Sequence, residues 1–510
     1  MSSLPSRAAV ASWFAGLADA RVVQGEAGAV TSVSHDSRDV REGALFVAVP
    51  GFETDGHSFL KTAIQRGAKA LLVQEDKHAV WEPTVAGLDV AVVAVPDTRR
   101  ALAQAAAGFF GNPACKLGVI GVTGTDGKTT TVHLIAHLFG SAGRPSGFMS
   151  SVSFESDGEP VLNATHMTTV DAPQIQERLA EMVEAGKHYA VLEASSHGLS
   201  LHRLDECQFD VGVFTTLSRD HLDFHGTMEE YKAAKGRLFQ MLDESTEKRV
   251  PRAAVVNADD LASAYFREIS QATLITYGLA DGADVRAESI ETDGLSLRFR
   301  LVTKDASQDV SVALAGEFNV LNCLAAAAVG QSQGFALQEI ASGLASFPGV
   351  PGRMAEVDSG QGFRVVVDIA STPEALRRVL LVLRPITGGR LCVVFGCAGE
   401  RDTARRGGMG RAAGELADYV VLTNEDPRRE DPDAIIDEIA AALRSSGREE
   451  ERDFVRVPDR REALRHAFGW AKAWDTVLLA GKGTEQSIVI GTEHYPWDEA
   501  QVVRELLGEM

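Results

Sequence analysis

The sequence predicts an α/β protein of three units. These are a small N-terminal α/β unit, a central P-loop ATPase unit with a mostly parallel sheet, and a C-terminal Rossmann-like, doubly wound unit. Three observations predict this. Short apolar segments alternate with helical patterns along most of the chain, as parallel strands covered on both faces do. A glycine-rich loop carrying Lys and Thr follows one of those segments and opens a helix. A run of prolines and glycines, Phe347-Pro-Gly-Val-Pro-Gly-Arg353, separates a second alternating set from the first. The expected boundaries are 1–98, 99–347 and 348–510, and 510 residues suit roughly two to four domains.

The first unit is expected to open with an ordinary helix over 8–18. Apolar strands follow at 44–49, 70–73 and 90–95, with a helix near 59–66. Pro96-Asp97-Thr98 then caps a helix over 99–110. In the second unit, strands are expected at 116–120, 189–192, 211–214 and 253–256. Residues 270–313 read as β-rich because 296–302 alternate apolar and polar. An alanine-rich helix over 319–330 closes this unit. The third unit has strands at 364–368, 391–395, 419–423 and 476–480, each followed by a helical pattern. Its ligand residues are expected at the carboxyl ends of those strands.

Composition narrows the function classes. A net charge of −21 argues against non-specific nucleic-acid binding, which needs a basic surface. No apolar run reaches the ~18 residues of a membrane-spanning helix. The five cysteines are scattered, without metal-type pairing, and read as reduced cytosolic thiols. The reading is of a cytoplasmic monomer that neither enters membranes nor binds nucleic acid.

The chemistry starts at Gly121-Val-Thr-Gly-Thr-Asp-Gly-Lys-Thr-Thr-Thr131. A turn of this kind turns several backbone N–H groups toward a phosphate, and the following helix points its positive end at the same place. Lys128 reaches the outer phosphates of a nucleotide, and Thr129 offers a hydroxyl to Mg²⁺. The common spacing wants glycine where Val122 stands, so the loop is a shortened form. Three further segments accompany it: Leu192-Glu-Ala-Ser-Ser-His-Gly198, Ser218-Arg-Asp-His-Leu-Asp-Phe-His225 and Tyr231-Lys-Ala-Ala-Lys-Gly-Arg237. A carboxylate at a strand end beside a P-loop suits Mg²⁺, and the His/Asp cluster suits a second ion. Helix caps and solvated charge are the plain alternative for each segment alone.

Together with Gly316-Glu-Phe-Asn-Val-Leu-Asn322 and Val350-Pro-Gly-Arg353, these motifs resemble, in order, the Mur ligases of bacterial cell-wall synthesis. The segments at 396–409, 426–428 and 481–483 resemble the subgroup that adds the third residue of the peptide stem. The likeness runs from Asp36-Ser-Arg38 to Glu485. It implies an ATP- and Mg²⁺-dependent amide ligase. ATP would phosphorylate the glutamate side chain of UDP-MurNAc-L-Ala-D-Glu, and the amine of a diamino acid would displace phosphate.

Carried over residue by residue, the resemblance implies Lys128, Glu193, His221 and Lys235 as catalytic. Gly124, Thr125, Asp126, Gly127, Lys128, Thr129 and Thr130 would cradle ATP, with Asn319, Arg353 and Asp368 nearby. Thr129 and Glu193 would hold one Mg²⁺, and His221 and a carbamylated Lys235 a second. Ser37, Phe52, Glu53 and Thr54 would meet the uridine end; Thr168, Thr169, Ser195 and Arg203 would meet the muramoyl-dipeptide. Arg401, Glu425, Asp426, Pro427, Arg428, Gly481 and Glu485 would form the amino-acid pocket. A folylpolyglutamate synthetase or a catalytically silent nucleotide-binding regulator are the alternatives.

Departures from the family pattern are Val170, Thr216, Ile369, Ser371 and Thr484. The usual Asp-Asn-Pro-Arg of diaminopimelate-adding forms is here Glu425-Asp-Pro-Arg428. Two carboxylates favour an ω-ammonium and repel a second carboxylate, which points to L-lysine or L-ornithine. Arg428 keeps meso-diaminopimelate open.

Overall fold

The computed structural model describes residues 12–14, 16, 17, 19–26, 28–52, 54–165 and 167–509. The expected first helix over 8–18 lies largely outside these residues; Ser12–Phe14 forms one 3-10 turn. Glu53 also lies outside them. The chain divides into two compact units. One holds the described residues up to Glu288, with Leu301–Gln308 and Leu321–Leu344; the other holds Ser289–Arg300, Asp309–Val320 and the described residues from Ala345.

The first unit contains two sheets. The smaller runs in the order Arg21–Gln24, Ala91–Val95, Ala70–Gln74, Leu45–Val47, Val33–Ser34. Only its first strand is antiparallel. Successive side chains of a strand point to opposite faces. Thus Leu45, Leu72 and Val93 pack with Trp13 and the helix Thr98–Phe109, while Phe46, Leu71 and Val92 pack with Trp81. Asp97 caps that helix by accepting from the Arg99 and Arg100 N–H groups.

The larger sheet places Thr273–Gly278, Ala253–Asn257, Val211–Phe214, Gly118–Thr123, Tyr189–Glu193 and Ser146–Met149 side by side and parallel. The whole strand Gly118–Thr123 is buried, as expected where helices cover both faces. Register decides where the loops open. Val122 lies opposite Glu193 on one side and Val213 on the other, so three strands end at one edge. The β-rich stretch expected at 270–313 forms Thr273–Gly278, Val285–Asp293, Ser296–Thr303 and Ser307–Val312.

The second unit carries a sheet in the order Ala355–Glu356, Arg364–Asp368, Thr476–Ala480, Leu391–Phe395, Tyr419–Leu422, Phe454–Arg456. All but the first pair are parallel. Helices Pro373–Ile386, Ala404–Leu416 and Pro432–Ser445 bury Leu380, Met409 and Ile439 against one face, and Arg460–Trp470 and Glu499–Gly508 bury Leu464 and Val503 against the other. Asp368 pairs with Ala480, and Phe395 with Leu422, so these four strand ends are neighbours. A hairpin of Ser487–Ile490 and Glu493–Pro496 follows.

Candidate active site

In the first unit the glycine-rich loop leaves the strand Gly118–Thr123 and enters the helix Lys128–Ser141. No side chain caps that helix, so its first N–H groups face outward from a positive helix end. Gly124 has φ +148, and a Cβ there would fall 1.9 Å from Thr215 Oγ1, so only glycine fits. The loop is braced from the next strand end. Thr125 N–H donates to Thr216 O at 2.7 Å, Asp126 N–H to Thr216 Oγ1 at 3.3 Å, and Thr215 Oγ1 to Asp126 O at 2.6 Å. Thr216, one of the departures from the family pattern, is thus a direct support of the loop.

Lys128 Nζ folds back onto the carbonyls of Gly124 and Thr125, at 3.1 and 2.8 Å. Thr129 Oγ1 donates to Glu193, 3.2 and 3.1 Å from its two carboxylate oxygens. Ser151 joins them, its N–H donating to Glu193 Oε2 at 2.9 Å and its hydroxyl 2.9 Å from Thr129 Oγ1. Lys235 is 1% exposed, and its Nζ donates to Gly124 O at 2.7 Å. Burial, with Lys128 beside it, holds the Lys235 ammonium well below the usual lysine range.

The three basic residues expected on one short helix do not act together. The helix is Met228–Glu244; Lys235 turns into the loop, Lys232 lies over the Tyr265 ring, and Arg237 pairs with Asp205 at 2.9 Å. Spacing by three and two on a 100° helix sends these side chains in different directions. The histidines of the expected His/Asp cluster gather around His197, with the His225 ring 5.5 Å from it, and form no metal-holding group among the described residues. His221 has φ +51, is half exposed and pairs with Asp220 at 3.3 Å. Its ring lies 4.8 Å from that of His197. Burial, aided by His221 and His225, lowers His197 to about 4, so it is neutral at pH 7. Among the described residues no three His, Cys, Asp or Glu side chains gather as a metal-holding group.

Thr169 Oγ1 donates to Glu193 O at 2.7 Å and accepts from Ser195 N–H at 3.0 Å and Ser195 Oγ at 2.9 Å. Arg203 Nη1 donates to Thr169 O at 2.9 Å, and Arg203 pairs with Asp171 at 3.0 Å. Thr168 lines the same small recess as Thr169 and Glu193. The four residues assigned to the muramoyl-dipeptide are therefore grouped through Thr169, next to Glu193. Ser37 is buried, and Thr54 O accepts from Gly51 N–H at 2.9 Å. Phe52 is 74% exposed, edge-on to Phe224 and 5.7 Å from the Arg99 guanidinium.

In the second unit, Asp368 accepts from the N–H groups of Met354 and Ala370, both at 2.8 Å, and burial raises its pKa against the pull of Arg353. Asn319 Nδ2 donates to Ala315 O at 2.7 Å. Glu425 is buried and its Oε2 has no partner. A Cβ on Gly481 would stand 3.1 Å from that oxygen. Burial and the charge of Glu485 push Glu425 up to about 7. Asp426 corrects the expectation of a free second carboxylate. Its Oδ1 accepts from Lys482 Nζ at 2.8 Å and Val489 N–H at 3.0 Å, so its charge is already matched. Lys482 also donates to Glu485 Oε2 at 2.5 Å. Arg428 has φ +53 and is clamped between Val489 O and the Gly491 N–H. A bulky residue in that region is strained backbone held in place by its surroundings. Pro427 O accepts from Glu430 N–H, and Arg401 is exposed.

The sequence reading passed over Ser151, Thr215, Tyr231 and Asn322. Tyr231 OH lies 3.2 Å from Thr125 Oγ1, and Asn322 Oδ1 accepts from Thr131 Oγ1 at 3.3 Å. Asn322 and Tyr231 stood inside quoted motifs; Ser151 follows the strand Ser146–Met149, which no motif marked.

Comparison with known proteins gives three family models along the chain. These are the Mur ligase family, catalytic domain over residues 29–110, the Mur ligase middle domain over 122–330, and the Mur ligase, glutamate ligase domain over 352–483. A UDP-N-acetylmuramyl-tripeptide synthetase from Roseiflexus sp. (strain RS-1) is 43% identical over 489 residues, covering 94% of this chain and 95% of that protein. A UDP-N-acetylmuramoyl-L-alanyl-D-glutamate--2,6-diaminopimelate ligase from Geobacillus thermodenitrificans (strain NG80-2) is 40% identical over 482 residues, covering 94% and 95%. A solved structure of a ligase of that second name superposes with a TM-score of 0.67 at 32% identity, covering 98% of this chain and 99% of that one. No described helix is long and apolar enough to cross a membrane.

Proposed function

The chain belongs to the Mur ligase family, and on that premise we propose that it joins a diamino acid to UDP-MurNAc-L-Ala-D-Glu, at the glutamate side chain, in the cytoplasm. The proposed domains are 1–98, 99–347 and 348–510. The observation that carries the reading is the convergence of Lys128, Thr129, Glu193 and Lys235 on one glycine-rich loop, with Thr169 bonded to the Glu193 main-chain carbonyl and Ser195 and Arg203 bonded to Thr169.

A free carboxylate is a poor electrophile, and phosphorylation by ATP supplies a leaving group. The loop N–H groups and the open end of the helix Lys128–Ser141 bind the phosphates, and Lys128 neutralises charge on the outer ones. Thr169, Ser195 and Arg203 orient the dipeptide so that its carboxylate meets the outermost phosphate. The residues present fit Mg²⁺: Glu193 is a buried oxygen donor already facing a hydroxyl, and Lys235 is a desolvated amine suited to reaction with CO₂. Thr129 and Glu193 would hold one ion, and His221 with Lys235 as its carbamate a second. Bound Mg²⁺ supplies the charge that screens the substrate carboxylate from the triphosphate.

For the amino acid we favour L-lysine or L-ornithine. Burial first and the charge of Glu485 second raise Glu425 to about 7, and beside it Asp426 and Glu485 set two negative charges against the one of Lys482. A second carboxylate enters such a field at a cost, and an ω-ammonium at a gain. Matching of Asp426 by Lys482 reduces that field without cancelling it. The second reading, meso-diaminopimelate, draws on Arg428 and on the name of the Geobacillus relative. The deciding assay is phosphate release with ATP, the UDP-muramoyl-dipeptide and each diamino acid separately. Release with lysine or ornithine supports the proposal. Release with diaminopimelate alone reverses the choice of amino acid, and release with none overturns the ligase reading.

A further inference from the structure

Beneath the strand ends of the second unit lies a buried ion pair that the mechanism above leaves unused. Arg460 opens the helix Arg460–Trp470 and Glu499 opens the helix Glu499–Gly508. Their side chains are 1% and 0% exposed. Arg460 Nε and Nη2 donate to the two Glu499 oxygens at 3.0 and 2.6 Å, a forked, charge-assisted contact. Trp497 Nε1 donates to Glu499 Oε2 at 2.5 Å, fixing the carboxylate from a third side.

The rest of the guanidinium is spent on backbone. Nη1 donates to Asn424 O and Nη2 to Ala480 O, each at 3.2 Å. Asn424 and Ala480 are the last residues before Glu425 and Gly481. Their strands, Tyr419–Leu422 and Thr476–Ala480, are not hydrogen-bonded to each other; Leu391–Phe395 lies between them. One side chain thus spans the intervening strand and ties together the two loops assigned to the incoming amino acid. Replacing a buried ion pair by well-packed apolar residues is commonly neutral for stability, so fold stability alone does not call for this pair. Lysine cannot substitute for the planar fork that serves a carboxylate and two carbonyls at once.

We infer that Arg460, locked by Glu499, is a positioning residue that holds residues 425–428 and 481–485 in register and thereby sets affinity for the incoming amino acid. The inference rests on the ligase reading for its substrate and on geometry alone for the two loops. Its test compares the full chain with Arg460→Lys, Arg460→Met and the double variant Arg460→Met/Glu499→Met. Arg460→Met leaves Glu499 buried without its partner and loses thermal stability, whereas the double variant regains it.

Amide hydrogen exchange reads the loops without any substrate. In the double variant, exchange at 425–428 and 481–485 should rise at least tenfold while the helix cores keep their protection. Unchanged exchange there overturns the inference. In turnover, Arg460→Lys and the double variant should raise KM for the amino acid at least tenfold, with KM for ATP and for the UDP-muramoyl-dipeptide within twofold. Recovery of the amino-acid KM together with stability in the double variant would make the pair purely structural and overturns the inference. Absence of turnover by the unaltered chain with every diamino acid refutes the ligase reading instead, and the exchange result then decides the role of the pair by itself.

Discussion

Thr129 Oγ1 stands 3.2 and 3.1 Å from the two carboxylate oxygens of Glu193, joining the first turn of the loop helix to the end of the neighbouring strand. Register makes the contact. Glu193 lies opposite Val122, one residue before the strand's last residue, so the carboxylate faces the helix start. Glu193→Gln keeps the volume but presents an amide N–H₂ to a hydroxyl and to the Ser151 N–H. Steady-state kinetics should show kcat/KM lowered about a hundredfold or more, which is roughly 2.7 kcal/mol of transition-state stabilisation. Near wild-type activity would remove Glu193 from the mechanism.

Lys235 gives the second prediction. Its amine is buried beside Lys128 and bonded to the Gly124 carbonyl, and burial lowers its pKa well below the usual lysine range, which favours the neutral amine that CO₂ needs. Incubation with ¹³C-bicarbonate should give a carbamate carbon resonance that is absent from Lys235→Ala. The same variant should lose turnover by about a hundredfold or more, and acetate should restore part of it by supplying a carboxylate in the vacated space. Unchanged turnover without added CO₂ or acetate would dismiss the carbamate.

Much of the first site was legible because its residues sit next to strongly patterned elements. Six consecutive buried residues, then glycines, then Lys128 and Thr129, mark a strand, turn and helix with little ambiguity. Glu193 was legible in the same way, as an acid ending an apolar strand. Ser151 and Thr215 were not, since their roles come from sheet register between strands far apart in sequence. Asp426 misled for a related reason: its partner Lys482 lies 56 residues away, so a local count of charges saw an acid where the fold has an ion pair. The hairpin of Ser487–Ile490 and Glu493–Pro496 also went unread, although Gly491-Thr492 is a two-residue loop with glycine first.

Glu425 makes stability depend on pH. Its carboxyl is raised from the ordinary 4.5 to about 7 by burial first and Glu485 second. Between those values the unfolded chain has released a proton that the folded chain retains, so stability falls as pH rises. The loss begins near pH 4.5, is complete above pH 7, and amounts to about 3 kcal/mol for this group. Glu425→Gln removes the titration. Thermal unfolding at pH 5 and pH 8 should therefore show a smaller drop in Tm for the variant than for the unaltered chain. Equal drops would mean that Glu425 ionises normally.

Specificity follows from the same field. Asp426 Oδ1 holds Lys482 Nζ, which also holds Glu485. Asp426→Asn removes one negative charge and leaves the Lys482 ammonium matched by Glu485 alone, so the region becomes more positive by one unit. A second carboxylate then enters at less cost, and an ω-ammonium gains less. The ratio of kcat/KM for lysine to that for diaminopimelate should fall at least tenfold, or about 1.4 kcal/mol. Arg428→Ala should weaken diaminopimelate more than lysine, since only the former offers a second, distal carboxylate to a guanidinium. If Asp426→Asn leaves the ratio unchanged while Arg428→Ala abolishes turnover with diaminopimelate, one guanidinium–carboxylate pairing, not the net field, chooses the amino acid.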